Sequence, residues 1–117
     1  SDIECFFDCS SPWTYIGFHN VQALAKELDV SIRWRPILVG GIFNSTNPTV
    51  YESRSNPVPA KRAHVRKSVL DWARWSGLEF GKFPPTVFPV NSAKVMRGCL
   101  VLEKHNKLVP FARAAFE

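Results

Sequence analysis

Ser11-Pro12-Trp13-Thr14 is the stretch of this chain whose residue types and position can do chemistry. It follows Phe6-Phe7-Asp8 and precedes a run with helical spacing, so the serine falls where a strand hands over to a helix. A side chain there sits beside amide donors and the positive end of the helix dipole, which favour a bound anion or lower the pKa of a thiol. The simpler role for Ser10 or Ser11 is to cap the helix. Cys9, two residues before Ser11, is a rival nucleophile, although strand alternation favours Ser11. Ser-His-Asp hydrolysis fits poorly: there is no G-x-S-x-G elbow, and His19, His64 and His105 stand in no context that marks a base.

The three cysteines, Cys5, Cys9 and Cys99, include no C-x-x-C pair and no zinc spacing with a histidine. No metal and no disulfide framework are expected, and a thiol-disulfide oxidoreductase would lack its usual cysteine pair. Unpaired thiols suit a reducing, cytoplasmic setting.

The elements that must position Ser11 follow from the pattern around it. Ile3-Glu4-Cys5-Phe6-Phe7-Asp8 reads as a strand, and Pro12 suits the first helical position because its missing N–H costs nothing there. Val21, Leu24, Ala25 and Leu28 make one apolar stripe, and Val30-Ser31-Ile32-Arg33-Trp34-Arg35 alternates as a second strand. Strand, helix, strand at this spacing predicts a parallel pair with a right-handed crossover. Residues 36 to 59 hold Pro36, Gly40-Gly41, Asn47-Pro48 and Pro57-Val58-Pro59, and a long loop is expected there. A helix over about 60 to 76 then carries Val65, Val69, Trp72 and Ala73 on one side, and Gly77 ends it.

Residues 78 to 90 place Pro84, Pro85 and Pro89 among Phe80, Phe83 and Phe88, which predicts a stiff, packed loop. Asn91 or Ser92 can cap a helix that turns Val95, Met96, Cys99 and Leu102 inward, and Pro110 can open a last one. The chain therefore divides into residues 1–40, the βαβ part of an α/β domain; 41–59, a connecting loop; and 60–117, a helical region. Two strands alone make a poor sheet, so the chain is expected either to be cut from a longer protein or to complete its sheet with another chain.

Composition limits the partners. The 117 residues are 45% hydrophobic and 21% charged, an ordinary globular balance for about one domain. The formal charge of +5 comes largely from Arg54, Lys61, Arg62, Arg66, Lys67 and Arg74, which could track phosphates. A solvated helix face, or a positive surface attracting a small anion, accounts for them better than nucleic acid. No apolar run approaches the roughly 18 to 20 residues that cross a bilayer, and the amino terminus lacks signal-peptide character.

An ordered set of blocks carries a resemblance that covers nearly the whole chain. Phe6-Phe7-Asp8, Ser11-Pro12-Trp13-Thr14-Tyr15, Trp34-Arg35-Pro36-Ile37-Leu38, Gly40-Gly41-Ile42-Phe43, Asn47, Phe88-Pro89-Val90-Asn91-Ser92 and Met96-Arg97-Gly98 together resemble 2-hydroxychromene-2-carboxylate isomerases. They are shared more loosely with kappa-class glutathione transferases. The resemblance implies a thioredoxin-like α/β fold of the DsbA type with an inserted helical domain, of which this chain holds the N-terminal βαβ unit and part of the insertion. Family members are nearly twice as long and supply further glutathione contacts after the insertion.

In that family the C-P-x-C redox motif gives way to S-P-x-x, which Ser11-Pro12-Trp13-Thr14 matches. The resemblance implies glutathione as cofactor, its thiolate steadied by the Ser11 hydroxyl and added reversibly to an aromatic carboxylate substrate. It also implies glutathione contacts from Asn47 and Lys61, substrate contacts from Trp13, His64, Asn91 and Ser92, and a homodimer. His64 stands where many relatives have Tyr, and Ser68 where many have Asp. A kappa-class transferase, or a non-catalytic fragment that binds glutathione or a partner chain, are the alternatives.

Overall fold

The computed structural model describes residues 1 to 117 except 82, 84 and 87 to 89. The expected packing of Pro84, Phe88 and Pro89, and the Phe88-Pro89 portion of the family block, lie outside the described residues.

Strands β1 (Asp2–Phe7) and β2 (Ser31–Pro36) pair in parallel, from Asp2 opposite Ser31 to Phe7 opposite Pro36. Period-two alternation divides the two faces of this sheet. Phe7 and Trp34 are buried on one face, their rings meeting edge to face at 5.6 Å. The other face carries Asp2 paired with Arg33 at 3.2 Å and Glu4 paired with Arg35 at 2.9 Å, in solvent beside an exposed Phe6. Helix α1 (Pro12–Glu27) makes the crossover between the strands. It stops where Asp29 takes a left-handed conformation (φ 54°) and the Val30 N–H donates to the Ala25 carbonyl at 2.9 Å.

Residues 36 to 59 are not the loop that their prolines and glycines predict. They form α2 (Val39–Thr46) and α3 (Thr49–Ser55). The breakers fall at boundaries: Pro36 closes β2, Pro48 immediately precedes α3, and Pro57 and Pro59 flank the entry to α4 (Pro59–Trp75). Gly40 and Gly41 lie in the first turn of α2, where the Gly41 N–H donates to the Leu38 carbonyl at 3.1 Å. Proline at a helix start is permissive rather than disruptive, which the count of breakers overlooks.

Helix α4 ends as expected at Gly77, φ 78°. The Leu78 N–H donates to the Ala73 carbonyl at 2.9 Å and the Gly77 N–H to the Arg74 carbonyl at 3.1 Å, satisfying two terminal carbonyls. Helices α5 (Ala93–Glu103) and α6 (Leu108–Phe116) complete the described elements. Phe7, Phe18, Trp34, Met96, Cys99, Leu108 and Ala112 form one core, joining the sheet to α1, α5 and α6. Ile16, Val69 and Ala73 form a smaller one between α1 and α4, with Leu78, Phe80 and Phe83 packed on it.

Serving two cores rotates the buried stripes from their expected positions. Leu24 and Leu28 of α1 are exposed, while Ile16, Phe18 and Ala25 are buried. On α4, Val65 and Trp72 are likewise exposed, and only Val69 and Ala73 are buried. The inward positions of Met96 and Cys99 on α5 are as expected.

Candidate functional site

The turn between β1 and α1 is built from its backbone upward. Ser11 has extended dihedrals (φ −106°, ψ 125°) and caps α1, its Oγ accepting from the Thr14 N–H at 3.3 Å. Its carbonyl accepts the Tyr15 N–H at 3.1 Å, and Pro12 begins the helix with no N–H to satisfy. Among the described residues, no acceptor engages the Ser11 hydroxyl hydrogen or the Trp13 N–H. Two donors therefore remain at the positive end of α1, beside a half-buried serine and an exposed Trp13. Such a pair can hold an anion.

Asp8 holds this turn in place, and reading the sequence assigned it no role. Its carboxylate is buried, with Oδ1 accepting from the Ser10 N–H and Oδ2 from the Val39 N–H, each at 2.9 Å. One side chain thus ties the end of β1 to the approach to Ser11 and to the first residue of α2. The available signal was an acid that closes an apolar strand immediately before a cap.

Burial disfavours Cys9 as a competing nucleophile at neutral pH. Burial, reinforced by the neighbouring Cys99 and Asp8, pushes its thiol up to about 12, so almost no thiolate exists at neutral pH. Its N–H donates to Met96 Sδ at 3.3 Å, which brings the first turn of α5 against the Ser11 turn. One helical turn after Ser11, Tyr15 is stacked between Phe80 (5.7 Å) and Phe116 (5.0 Å). Burial raises its phenol above the usual value, Glu117 adding to the effect and Arg113 opposing it. The sandwich holds α1 against the loop after α4 and against α6.

The remaining expected residues are spread over several elements. Asn47 is exposed at the end of α2, its Oδ1 accepting from the Thr49 hydroxyl. Lys61 and His64 are exposed on the first turns of α4, and the His64 ring lies 3.5 Å from Ser68 Oγ. Asn91 is exposed and accepts from the Ala93 N–H at 3.1 Å. Ser92 is buried and precedes α5 without a side-chain capping bond. Among the described residues, no hydrogen bond, ion pair or ring contact joins Asn47, Lys61, His64, Asn91 or Ser92 to Ser11.

Two clefts lie elsewhere. One opens at the amino ends of both strands, among Asp2, Ser31, Arg33, Glu103 and Asn106. That is the opposite end of the sheet from Ser11, whereas open α/β sheets bind ligands at the carboxyl ends of their strands. The other runs along α4 beside Pro57, Arg62 and Arg66. No group of three or more potential metal ligands occurs among the described residues, and none of their helices is long and apolar enough to cross a membrane.

Compared with known families, the chain matches the model of the DSBA-like thioredoxin domain over residues 2–117. No curated protein and no solved structure matches it.

Proposed function

The chain belongs to the DSBA-like thioredoxin domain family, and on that premise we propose that it carries the glutathione site of a 2-hydroxychromene-2-carboxylate-type isomerase. The observation that supports this reading is the Ser11 cap, whose oxygen accepts from Thr14 while its hydrogen stays available. A serine in place of the leading cysteine of a redox motif cannot form a disulfide. It can donate a hydrogen bond to a sulfur anion, and the Trp13 N–H and the α1 dipole add to the same field.

Glutathione, when bound, would supply the sulfur nucleophile for a reversible addition to the conjugated substrate that lets its double bond isomerise. Ser11 keeps its own proton throughout and acts by stabilising sulfur as an anion before addition and after departure. Asn47 and Lys61 would hold the glutathione backbone and a carboxylate, and Trp13, His64, Asn91 and Ser92 would line the substrate side.

Titration calorimetry with reduced glutathione tests the reading. Binding by the wild-type chain that weakens about tenfold or more in Ser11→Ala, a loss of about 1.4 kcal/mol, supports it. A folded wild-type chain that takes up no glutathione rules it out.

A second reading is a fragment that binds glutathione or a partner without turnover, which the sheet of only two strands among the described residues favours. Among the described residues nothing pairs with the outer edges of β1 and β2, which suits a second copy of the chain as that partner.

A further inference from the structure

We propose that the cleft along the first half of α4 binds an aliphatic carboxylate, with Arg62 and Arg66 holding the charge and an apolar floor holding the chain. Helix α4 changes character along one side. Val69 and Ala73 are buried against Ile16 of α1. Arg62 and Arg66 stand seven residues before them and so on the same side, where both are exposed. A stripe that is apolar over the last turns of the helix is therefore basic over the first ones. Like charges four residues apart on a helix repel unless a counter-charge sits between them. Among the described residues, neither guanidinium has a hydrogen-bond or ion-pair partner. Lys67, the third cation of the cleft, is engaged by Asp71, the one acid of α4.

The backbone adds to the same positive field. Val58 precedes α4 without a side-chain capping bond, and the first turn holds no acid, so the helix dipole at this end is not offset locally. The cleft has a volume of about 590 Å³, the size of a small-molecule site. Pro57, Pro59, Ala63 and Leu70 line it beside the cations. Among the described residues no aromatic side chain lines it, so it offers dispersion contact without ring stacking and suits an alkyl body better than an arene or a nucleobase. A carboxylate can accept paired bonds from a guanidinium, which an alcohol cannot match. An inorganic anion would leave the floor unused, and a neutral lipid would leave both arginines unused. An alkyl carboxylate uses both halves of the cleft.

Decanoate, kept below its micelle threshold, is the probe, with decanol and acetate as its two halves. Titration of the chain should show saturable decanoate binding, and NMR should show intermolecular NOEs from its methylenes to the Ala63 and Leu70 methyl groups. Affinity should fall about tenfold or more in the double variant Arg62→Gln/Arg66→Gln, and by at least as much for decanol or acetate on the wild type. Both arginines are exposed, so the variant keeps the core intact. Ser11→Ala should bind decanoate as the wild type does, which separates this site from the one proposed for glutathione. No binding, equal affinity for decanol and decanoate, undiminished affinity in the double variant, or NOEs confined to Trp72, Trp75 or the Ser11 turn would each overturn the proposal. Uptake onto phosphatidylserine vesicles without binding of monomeric decanoate would also overturn it, assigning the arginines to a lipid surface.

Discussion

The buried Asp8 carboxylate accepts the Val39 N–H at 2.9 Å, linking the end of β1 to the first residue of α2 across 31 positions of sequence. Its other oxygen holds the Ser10 N–H, so the cap residue Ser11 follows a backbone already anchored from two sides. Asp8→Ala leaves both amides without their acceptor. A loss of about 1.5–3 kcal/mol per charge-assisted bond is expected, with Asp8→Asn falling between that variant and the wild type. Urea denaturation reads this directly, and an unchanged midpoint for Asp8→Ala would show that the carboxylate does not organise the turn.

Ser11 has two separable duties. As a helix cap its removal in Ser11→Ala costs about 0.5–2 kcal/mol. Ser11→Asp keeps a good capping oxygen but brings a negative charge to the place where a thiolate would sit. Stability close to wild type together with abolished glutathione uptake is expected for that variant. Equal glutathione affinity in the wild type and Ser11→Asp would show that no sulfur anion approaches this position.

Gly98 lets α5 and α6 approach closely. A methyl group added there would stand 3.0 Å from Phe111 Cζ, so Gly98→Ala must displace the ring. Overpacking costs about 1–3 kcal/mol and outweighs the gain of roughly 1 kcal/mol from replacing a mid-helix glycine. The sign should reverse in a Phe111→Leu background, where the methyl group has room. A double-mutant cycle measured by thermal unfolding checks both signs, and additivity of the two substitutions would contradict the contact.

Alkali should unfold this chain more readily than its arginine and lysine content suggests. The Cys9 thiol moves from an ordinary value of 9.0 to about 12 on folding, chiefly through burial. A group whose folded pKa is raised contributes stability that is complete below its unfolded pKa and is lost as pH rises through the folded one. The loss therefore falls between about pH 9 and 12. Burial raises Cys5, Cys99 and Tyr15 in the same direction, so their contributions add. Chemical denaturation under reducing conditions should show stability declining over that range, with a shallower slope in Cys9→Ala. An identical slope in the two proteins would remove Cys9 as a cause.

Much of the local structure was legible because local rules decide it. Ser11 with Pro12 specifies a helix start, Gly77 a helix stop, and the alternation through Trp34 a half-buried strand, each within a few neighbouring residues. The misreadings share one cause. The number of prolines and glycines in residues 36 to 59 predicts a loop, whereas their effect depends on whether they fall at a helix start or in its middle. Leu24, Leu28, Val65 and Trp72 were assigned inward by spacing alone, yet which stripe is buried depends on what packs against it.

By itself, then, the order of residues determined the βαβ opening, the cap at Ser11 and the family to which the chain belongs. Only the tertiary structure decided that Asp8 anchors the turn, that the Cys9 N–H meets Met96 on α5, and that Tyr15 is sandwiched between Phe80 and Phe116. The physical reason is range. Capping and alternation act over a few residues along the backbone, whereas burial, and with it the protonation of a thiol or the pairing of a carboxylate, is set by segments that meet only when the chain is folded.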